Sequence, residues 1–311
     1  MRIAIAGAGG VGSYLGVLLA PHGHDISLID VGSHARALQI SGVVVRSRER
    51  GELRAMLPTT TNPGAVGVVD VVLFAVKTYD NDVAIPSLTP LVGAATTIIT
   101  LQNGIGNVEA LAAAYGAECV LAGPMVGGGT RVGPGEIEHV LPVASEYIEI
   151  GGLVPSAAPR VNATAELLAQ TGLEIRPVQD TARTLWSKLL AMSSLSAVGC
   201  LTRLKTADWR DHPGARGLYA TLVRESAAVG RAEGVHLDDA LIESVLQAPD
   251  KLGPAHRTSM AADLERGSRL EVDAVQGEIA RRGAKLGVPT PAVDVAYAVI
   301  KLADDRAAVG R

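Results

Sequence analysis

Residues 2–30 read RIAIAGAGGVGSYLGVLLAPHGHDISLID, and this stretch decides the fold class. Arg2–Ala6 is a short apolar run of the kind that fills a buried parallel strand. It leads into Gly7-Ala8-Gly9-Gly10-Val11-Gly12, which fits G-x-G-x-x-G, and then into a helix expected over Gly12–Ala20. In that setting the first glycine permits a tight turn and the second lets the backbone approach a pyrophosphate. The third lets helix and strand pack closely. The helix start would offer unpaired N–H groups and a partial positive charge to the phosphates. A secretion signal also begins with a positive charge and an apolar stretch, but the glycines between Gly7 and Gly12 fit a strand–turn–helix better. After the break at His22-Gly23-His24, a second strand is expected over Asp25–Ile29, ending at Asp30. An acid there accepts hydrogen bonds from both adenine-ribose hydroxyls and repels a 2′-phosphate, which favours NAD(H) over NADP(H). Arg36, with His34 nearby, is the side chain that would favour the phosphate instead.

Further strands are expected over Val68–Val76, Thr96–Leu101, Glu118–Leu121, Glu146–Ile150 and Leu173–Pro177, separated by helical or glycine-rich segments. This alternation indicates an α/β, doubly wound domain of the Rossmann type over residues 1–179. Beyond it the strand-like runs stop. Thr184–Leu201, Ala215–Glu233, Leu237–Leu246 and Glu271–Leu286 have helical length and i, i+3, i+4 apolar spacing, so residues 180–311 are expected as an all-helical domain. No repeat or low-complexity linker intervenes.

The bulk properties agree with two globular domains in 311 residues. Apolar residues are 48% and aromatic ones only 3%, so the core must be mostly aliphatic. A net charge of -4 with no basic stripe argues against nucleic acid as a partner. Outside the N-terminal segment no uninterrupted apolar run has membrane-spanning length, so no membrane partner is expected. Cys119 and Cys200 are far apart and fit free thiols in a reducing cytoplasm, and no His, Cys and carboxylate spacing implies a metal.

Several short motifs extend this reading. They are Phe74-Ala75-Val76-Lys77 at a strand end, Leu101-Gln102-Asn103-Gly104, Trp186-Ser187-Lys188-Leu189, Ser259-Met260 with Asp263, and Leu270-Glu271-Val272-Asp273 with Gly277. In this order and spacing, together with Gly7–Gly12, the chain resembles the ketopantoate reductase (2-dehydropantoate 2-reductase) family along nearly its whole length. The resemblance implies an NADPH-using Rossmann domain followed by a helical domain, often in a homodimer. It also implies Lys188 as catalytic general acid, Glu271 as its partner acid, Lys77 and Asn103 lining cofactor and cleft, and Ser259 binding the substrate carboxylate.

The chain departs from the family where two substrate-facing asparagines are usual: it has Met192 and Ser196. Lys188, Met192 and Ser196 are spaced i, i+4, i+8 and so share one helix face. An apolar thioether in place of an amide favours a 2-oxo acid more apolar than ketopantoate, or another small carbonyl compound.

The chemistry needs such a lysine. Adding hydride to a ketone puts negative charge on the carbonyl oxygen, and a fixed ammonium group both stabilises that charge and supplies the proton. Blander roles stand beside each candidate. Lys188 suits a solvated lysine on an amphipathic helix; Glu271, a first-turn acid favoured by the helix dipole; Ser259, a helix cap beside Thr258. Lys77 suits a solvated strand end, and Asn103 a turn. His139 and His256 read as surface or packed histidines. A non-catalytic NAD(P)-binding sensor is the alternative of a different class.

Overall fold

The computed structural model describes residues 1–139 and 141–309. The chain forms two compact units: residues 1–102 with 107–181, and residues 103–106 with 182–311.

The first unit carries the strands β1 (Arg2–Ala6), β2 (Asp25–Ile29), β3 (Val43–Ser47), β4 (Gly51–Ala55), β5 (Thr59–Thr60), β6 (Val71–Phe74) and β7 (Thr97–Thr100). These are followed by β8 (Val120–Ala122), β9 (Met125–Val126), β10 (Thr130–Gly133), β11 (Glu136–His139), β12 (Tyr147–Gly152) and β13 (Glu174–Pro177). Its helices are α1 (Gly10–Leu19), α2 (Gly32–Ser41), α3 (Asn81–Ser87), α4 (Asn107–Tyr115) and α5 (Ala158–Ala169).

The main sheet runs β13-β12-β8-β7-β6-β1-β2-β5, with β9 paired to β12. From β8 to β5 every pairing is parallel, and β12 joins β8 antiparallel. The order reverses between β1 and β6, because the chain adds β2 on one side of β1 and later returns to lay β6 on the other. In such sheets the crevice for a ligand opens at the strands' carboxyl ends at that reversal. Strands buried on both faces need apolar residues without alternation, and Ile3, Ile5, Leu28, Leu73, Ile99 and Leu121 are all fully buried.

A second sheet, β10-β11-β3-β4, lies outside the sequence expectation. It consists of two short local hairpins, β3-β4 and β10-β11, and the pairing that makes them one sheet joins segments some 90 residues apart, as in Val45 against Ile137. No local pattern announces such a pairing. The polar centre beside it is equally non-local. Glu146, buried, accepts hydrogen bonds from the Tyr14 hydroxyl and the Gly128 amide, each at 2.8 Å. It also lies 3.0 Å from Nε2 of the buried His139, whose Nδ1 is 2.9 Å from the Ser47 hydroxyl. His139 is thus a packed histidine.

The second unit is helical: α6 (Thr181–Thr202), α7 (Thr206–Trp209), α8 (Pro213–Ala232), α9 (Asp239–Leu246), α10 (Ala248–Lys251), α11 (Ser259–Glu265), α12 (Gln276–Leu286) and α13 (Pro291–Val309). By length and composition α6 could cross a membrane. Its apolar side chains are instead accounted for by the core of this unit, where Trp186, Leu189, Leu190, Ala197 and Val198 are buried. The expected helix over Glu271–Leu286 is shorter than its apolar spacing suggested. Val272–Val275 form turns, and α12 begins only at Gln276.

Candidate active site

In the first unit the glycine-rich turn leaves β1 at the sheet's reversal point. Gly7 has φ +89°, and a side chain there would also meet the Val76 amide nitrogen at 2.6 Å. A Cβ on Gly12 would lie 2.1 Å from the Gly7 carbonyl oxygen, so the close packing of turn and helix excludes one. Gly9 has open space around it and is the N-cap of α1. No side chain caps that helix and no acid occupies its first turn. Ala8, Gly10 and Val11 complete the turn, and the uncapped N–H donors of the first turn suit an anion such as a pyrophosphate.

His34 holds this turn from below. It is buried, its Nε2 is 2.7 Å from the Ala8 carbonyl oxygen, and its Nδ1 accepts the Gly135 amide at 3.0 Å. An acceptor role at Nδ1 requires the proton on Nε2, so the ring is the neutral tautomer that donates to Ala8. His34 is thereby a prop of the glycine turn and not a phosphate partner. Arg36 is exposed on α2. Asp30 follows the last residue of β2, partly exposed, and its Oδ1 accepts the Val31 amide at 2.7 Å.

Lys77 comes just after β6, the strand next to β1, and is half-buried. Its segment is fixed by Gln102, whose side-chain amide donates to the Val76 carbonyl at 2.8 Å and to Asn81 at 2.7 Å. The fingerprint, Asp30 and Lys77 therefore gather at the carboxyl ends of the neighbouring strands β2, β1 and β6.

The second unit assembles the remaining candidates. Lys188 and Met192 are half-buried on α6, and Ser196 is buried at 2% exposure, so the shared face runs into the core at its far end. Asn103 precedes Gly104, whose φ is +89° and where a Cβ would lie 2.3 Å from the Ala274 carbonyl oxygen. The Asn103-Gly104 turn is thus pressed against the segment that follows Glu271. Gln276, buried at the start of α12, donates to the Ser193 carbonyl at 2.9 Å and ties that segment to α6. Asn103 therefore packs with the unit of Lys188 and Glu271, although it follows a strand of the other.

Two expectations are corrected. Glu271 does not begin a helix: it lies in the irregular stretch ahead of α12, at 9% exposure, so dipole stabilisation in a first turn is not its role. Ser259 is exposed and is the first residue of α11, but the cap is Thr258, which accepts the Ala261 amide at 3.3 Å.

Other reactive groups are accounted for. His256 sits against Thr206, 2.8 Å from its hydroxyl, and burial holds its imidazole below the usual range. Burial pushes the Cys200 thiol up to about 12, which keeps it protonated and a poor nucleophile. Among the described residues no group of three His, Cys, Asp or Glu side chains is placed to hold a metal ion. Sequence reasoning missed the props, His34 and Gln276. Their only sequence signals were proximity to Asp30 and to Gly277.

Comparison with known proteins covers both units. Residues 3–153 match the model of the ketopantoate reductase PanE/ApbA family, and residues 180–304 match that of the ketopantoate reductase PanE/ApbA C-terminal domain. The 2-dehydropantoate 2-reductase of Caulobacter vibrioides is 32% identical over 301 residues, covering 97% of this chain and 98% of that one. The crystal structure of 2-dehydropantoate 2-reductase from Geobacter metallireducens aligns with a TM-score of 0.90 at 29% identity, covering 97% of this chain and 100% of that one. A D-mandelate dehydrogenase solved with NADH and anilino(oxo)acetate shares the fold, with a TM-score of 0.91 at 24% identity and 99% coverage of both chains.

Proposed function

The chain belongs to the ketopantoate reductase PanE/ApbA family of NAD(P)-dependent oxidoreductases, and from that premise we propose that it reduces the ketone of a small 2-oxo acid, with Lys188 as general acid. The observation that carries this reading is the setting of Lys188. It is half-buried on α6 between Trp186 and Leu189, both buried, in a chain matched to the family through both units. An ammonium group held by a packed helix keeps a fixed direction, and partial removal from water strengthens its pull on a developing alkoxide.

Each candidate then takes a role. The turn Gly7–Gly12 and the N-terminus of α1 hold the pyrophosphate of the dinucleotide. When bound, the nicotinamide supplies the hydride. Asp30 binds the adenine ribose and selects NAD(H) over NADP(H). Lys77 and Asn103 line the cofactor, and Asn103 also faces the substrate. Ser259 takes the substrate carboxylate. Its exposure at the first position of α11, with Thr258 already serving as cap, leaves its hydroxyl outside the cap. Lys188 donates its proton to the oxygen of the reduced ketone, and Glu271 orients Lys188 or the substrate.

Met192 supports a narrower statement. A half-buried thioether one turn after Lys188 offers no hydrogen bond to a polar substituent, so the preferred 2-oxo acid is more apolar than ketopantoate. Ser196, buried one turn further, shapes the end of that surface. The free thiols Cys119 and Cys200 support a reducing, cytoplasmic setting.

The test is cofactor consumption against a panel of small 2-oxo acids, with NADH and NADPH in parallel, by the native chain and Lys188→Ala. The expected result is turnover with NADH that Lys188→Ala abolishes while dinucleotide affinity stays nearly intact. Undiminished turnover in Lys188→Ala rejects the mechanism. Dinucleotide binding without turnover on any member of the panel favours the sensor reading. Ketopantoate outrunning every other compound by orders of magnitude rejects the apolar substrate.

A further inference from the structure

Glu271 stands in a stretch without regular structure, yet that stretch is fastened on both sides of it by one helix. Just before it, the Leu270 amide donates to Oδ1 of Asp304 at 2.8 Å. Two residues after it, Oδ1 of Asp273 accepts the Tyr297 hydroxyl at 2.7 Å, and Oδ2 accepts the Lys301 ammonium at 2.8 Å. Lys301 closes the loop by donating to Oδ2 of Asp304 at 3.0 Å. Tyr297, Lys301 and Asp304 are spaced i, i+4, i+7 on α13 and so project from one face. Arg281 adds a hydrogen bond to the Asp273 carbonyl at 2.6 Å, and Arg269 lies 3.6 Å from Asp304.

The burial of this arrangement is informative. Asp304 is fully buried. A carboxylate withdrawn from water is costly even when paired, and apolar residues of similar volume commonly serve stability as well or better. What a paired, buried charge adds is direction: the Leu270 amide and the Lys301 ammonium are each fixed by a partner that cannot shift without losing both. The charges are matched to that use. Burial alone would push the Asp273 carboxyl up, but the hydrogen bonds from Lys301 and Tyr297 outweigh it and hold the group below the usual range.

We propose that Asp304 and Lys301, supported by Tyr297, are positioning residues for Glu271. The inward face of the last helix sets where the Glu271 carboxylate stands and so governs turnover without touching substrate. The inference rests on the role given to Glu271 above.

The experiment is a double-mutant cycle on the full chain, with steady-state kinetics on the best 2-oxo acid. Asp304→Asn, Lys301→Met and Tyr297→Phe are each made alone and with Glu271→Gln, with Lys301→Arg as the conservative control. Asp304→Asn and Lys301→Met are expected to lower kcat roughly tenfold, which is about 1.4 kcal/mol of barrier height. The KM for the dinucleotide should stay within about twofold. Lys301→Arg should keep most of the activity, and the losses should vanish in the Glu271→Gln background.

Losses that multiply with that of Glu271→Gln overturn the proposal, as does a lowered Tm with kcat unchanged. Full turnover in Glu271→Gln alone overturns instead the role of Glu271, and the proposal falls with it. Tyr297→Phe removes a single hydroxyl and keeps the test alive if a charge variant does not fold. A drop in kcat without a drop in Tm supports the proposal there, and no change in kcat overturns it. Hydrogen exchange at the Leu270 amide gives a readout free of catalysis: lost protection in Asp304→Ala, which removes the acceptor, supports the clamp, and unchanged protection there refutes it.

Discussion

In the first unit the groups proposed to hold a ligand are chiefly main-chain ones: the glycine turn, the uncapped start of α1 and the ends of neighbouring strands. In the second they are side chains, Lys188, Asn103 and Glu271, on elements fastened by buried polar contacts. The two solutions fail differently. A main-chain site is lost when a Cβ enters the turn, because a pyrophosphate needs close approach and nothing else can substitute for it. A side-chain site keeps its binding surface when one group is removed and loses its chemistry instead.

The largest expected effect tests this division directly. Lys188→Ala should lower kcat by about 10²–10⁴, the usual contribution of a general acid, and change the dinucleotide Kd by less than about twofold. Equal losses in both quantities break the division. The converse change is Gly12→Ala, where the new methyl group would lie 2.1 Å from the Gly7 carbonyl oxygen. Overpacking of this kind costs about 1–3 kcal/mol in the undistorted turn. A turn that shifts to relieve it no longer holds its N–H groups in the binding geometry, so that binding would bear a cost of the same order. The dinucleotide Kd should therefore rise roughly 10- to 100-fold, with kcat at saturation much less affected. Both tryptophans, Trp186 and Trp209, belong to the core of the second unit, so indole emission in this variant should match that of the native chain. A red-shifted spectrum would show that damage to the turn spreads to the helices.

A smaller change sharpens the comparison within the second unit. Met192→Asn puts an amide where the resemblance leads one to expect it. It should shift the ratio of kcat/KM for ketopantoate over an apolar 2-oxo acid by about tenfold towards ketopantoate, the value of one hydrogen bond of about 1–1.5 kcal/mol. An unchanged ratio would remove Met192 from the substrate surface.

The smallest effect concerns acid. Burial depresses the His256 imidazole from its ordinary 6.5, and hydrogen bonds outweigh burial to hold Asp273 and Glu278 below theirs. Each of these groups contributes stability that is present above its unfolded pKa and lost as pH falls through the lowered, folded one. The Tm followed by indole emission should therefore begin to fall as pH drops below about 6.5 and fall further in the range of the carboxylates. About 2–4 °C is expected for each kcal/mol lost. His256→Gln should erase the first step and leave the second.

The same contrast explains what could be read from the sequence. The β1–turn–α1 start was legible because a short apolar run and spaced glycines constrain the backbone locally. The helical second half was legible from its apolar period, and Lys188, Met192 and Ser196 lie on α6 with the expected spacing. The joining of the two hairpins into a second sheet was not, because Val45 finds Ile137 only through the finished fold. Glu271 was misplaced at a helix start because Val272, Val275 and Ile279 keep a helical period through a stretch that turns. The clamp on α13 was invisible for the same reason as the buried centre of Tyr14, Glu146 and His139. Asp304 meets the Leu270 amide 34 positions earlier, and no spacing rule reaches that far. Asn103 was recognised as a residue, but not as a member of the second unit.

That last membership governs how the gene can be cut. Residues 103–106 are counted with the helical unit, and Ile105 is buried in its hydrophobic core at 4% exposure. A fragment starting at residue 182 would have a hole the size of an isoleucine in its centre. A chimera spliced there between two relatives would plug one parent's helices with the other parent's residue. Modular exchange in this protein therefore requires two crossover regions, with the short insert travelling alongside the helices it fills.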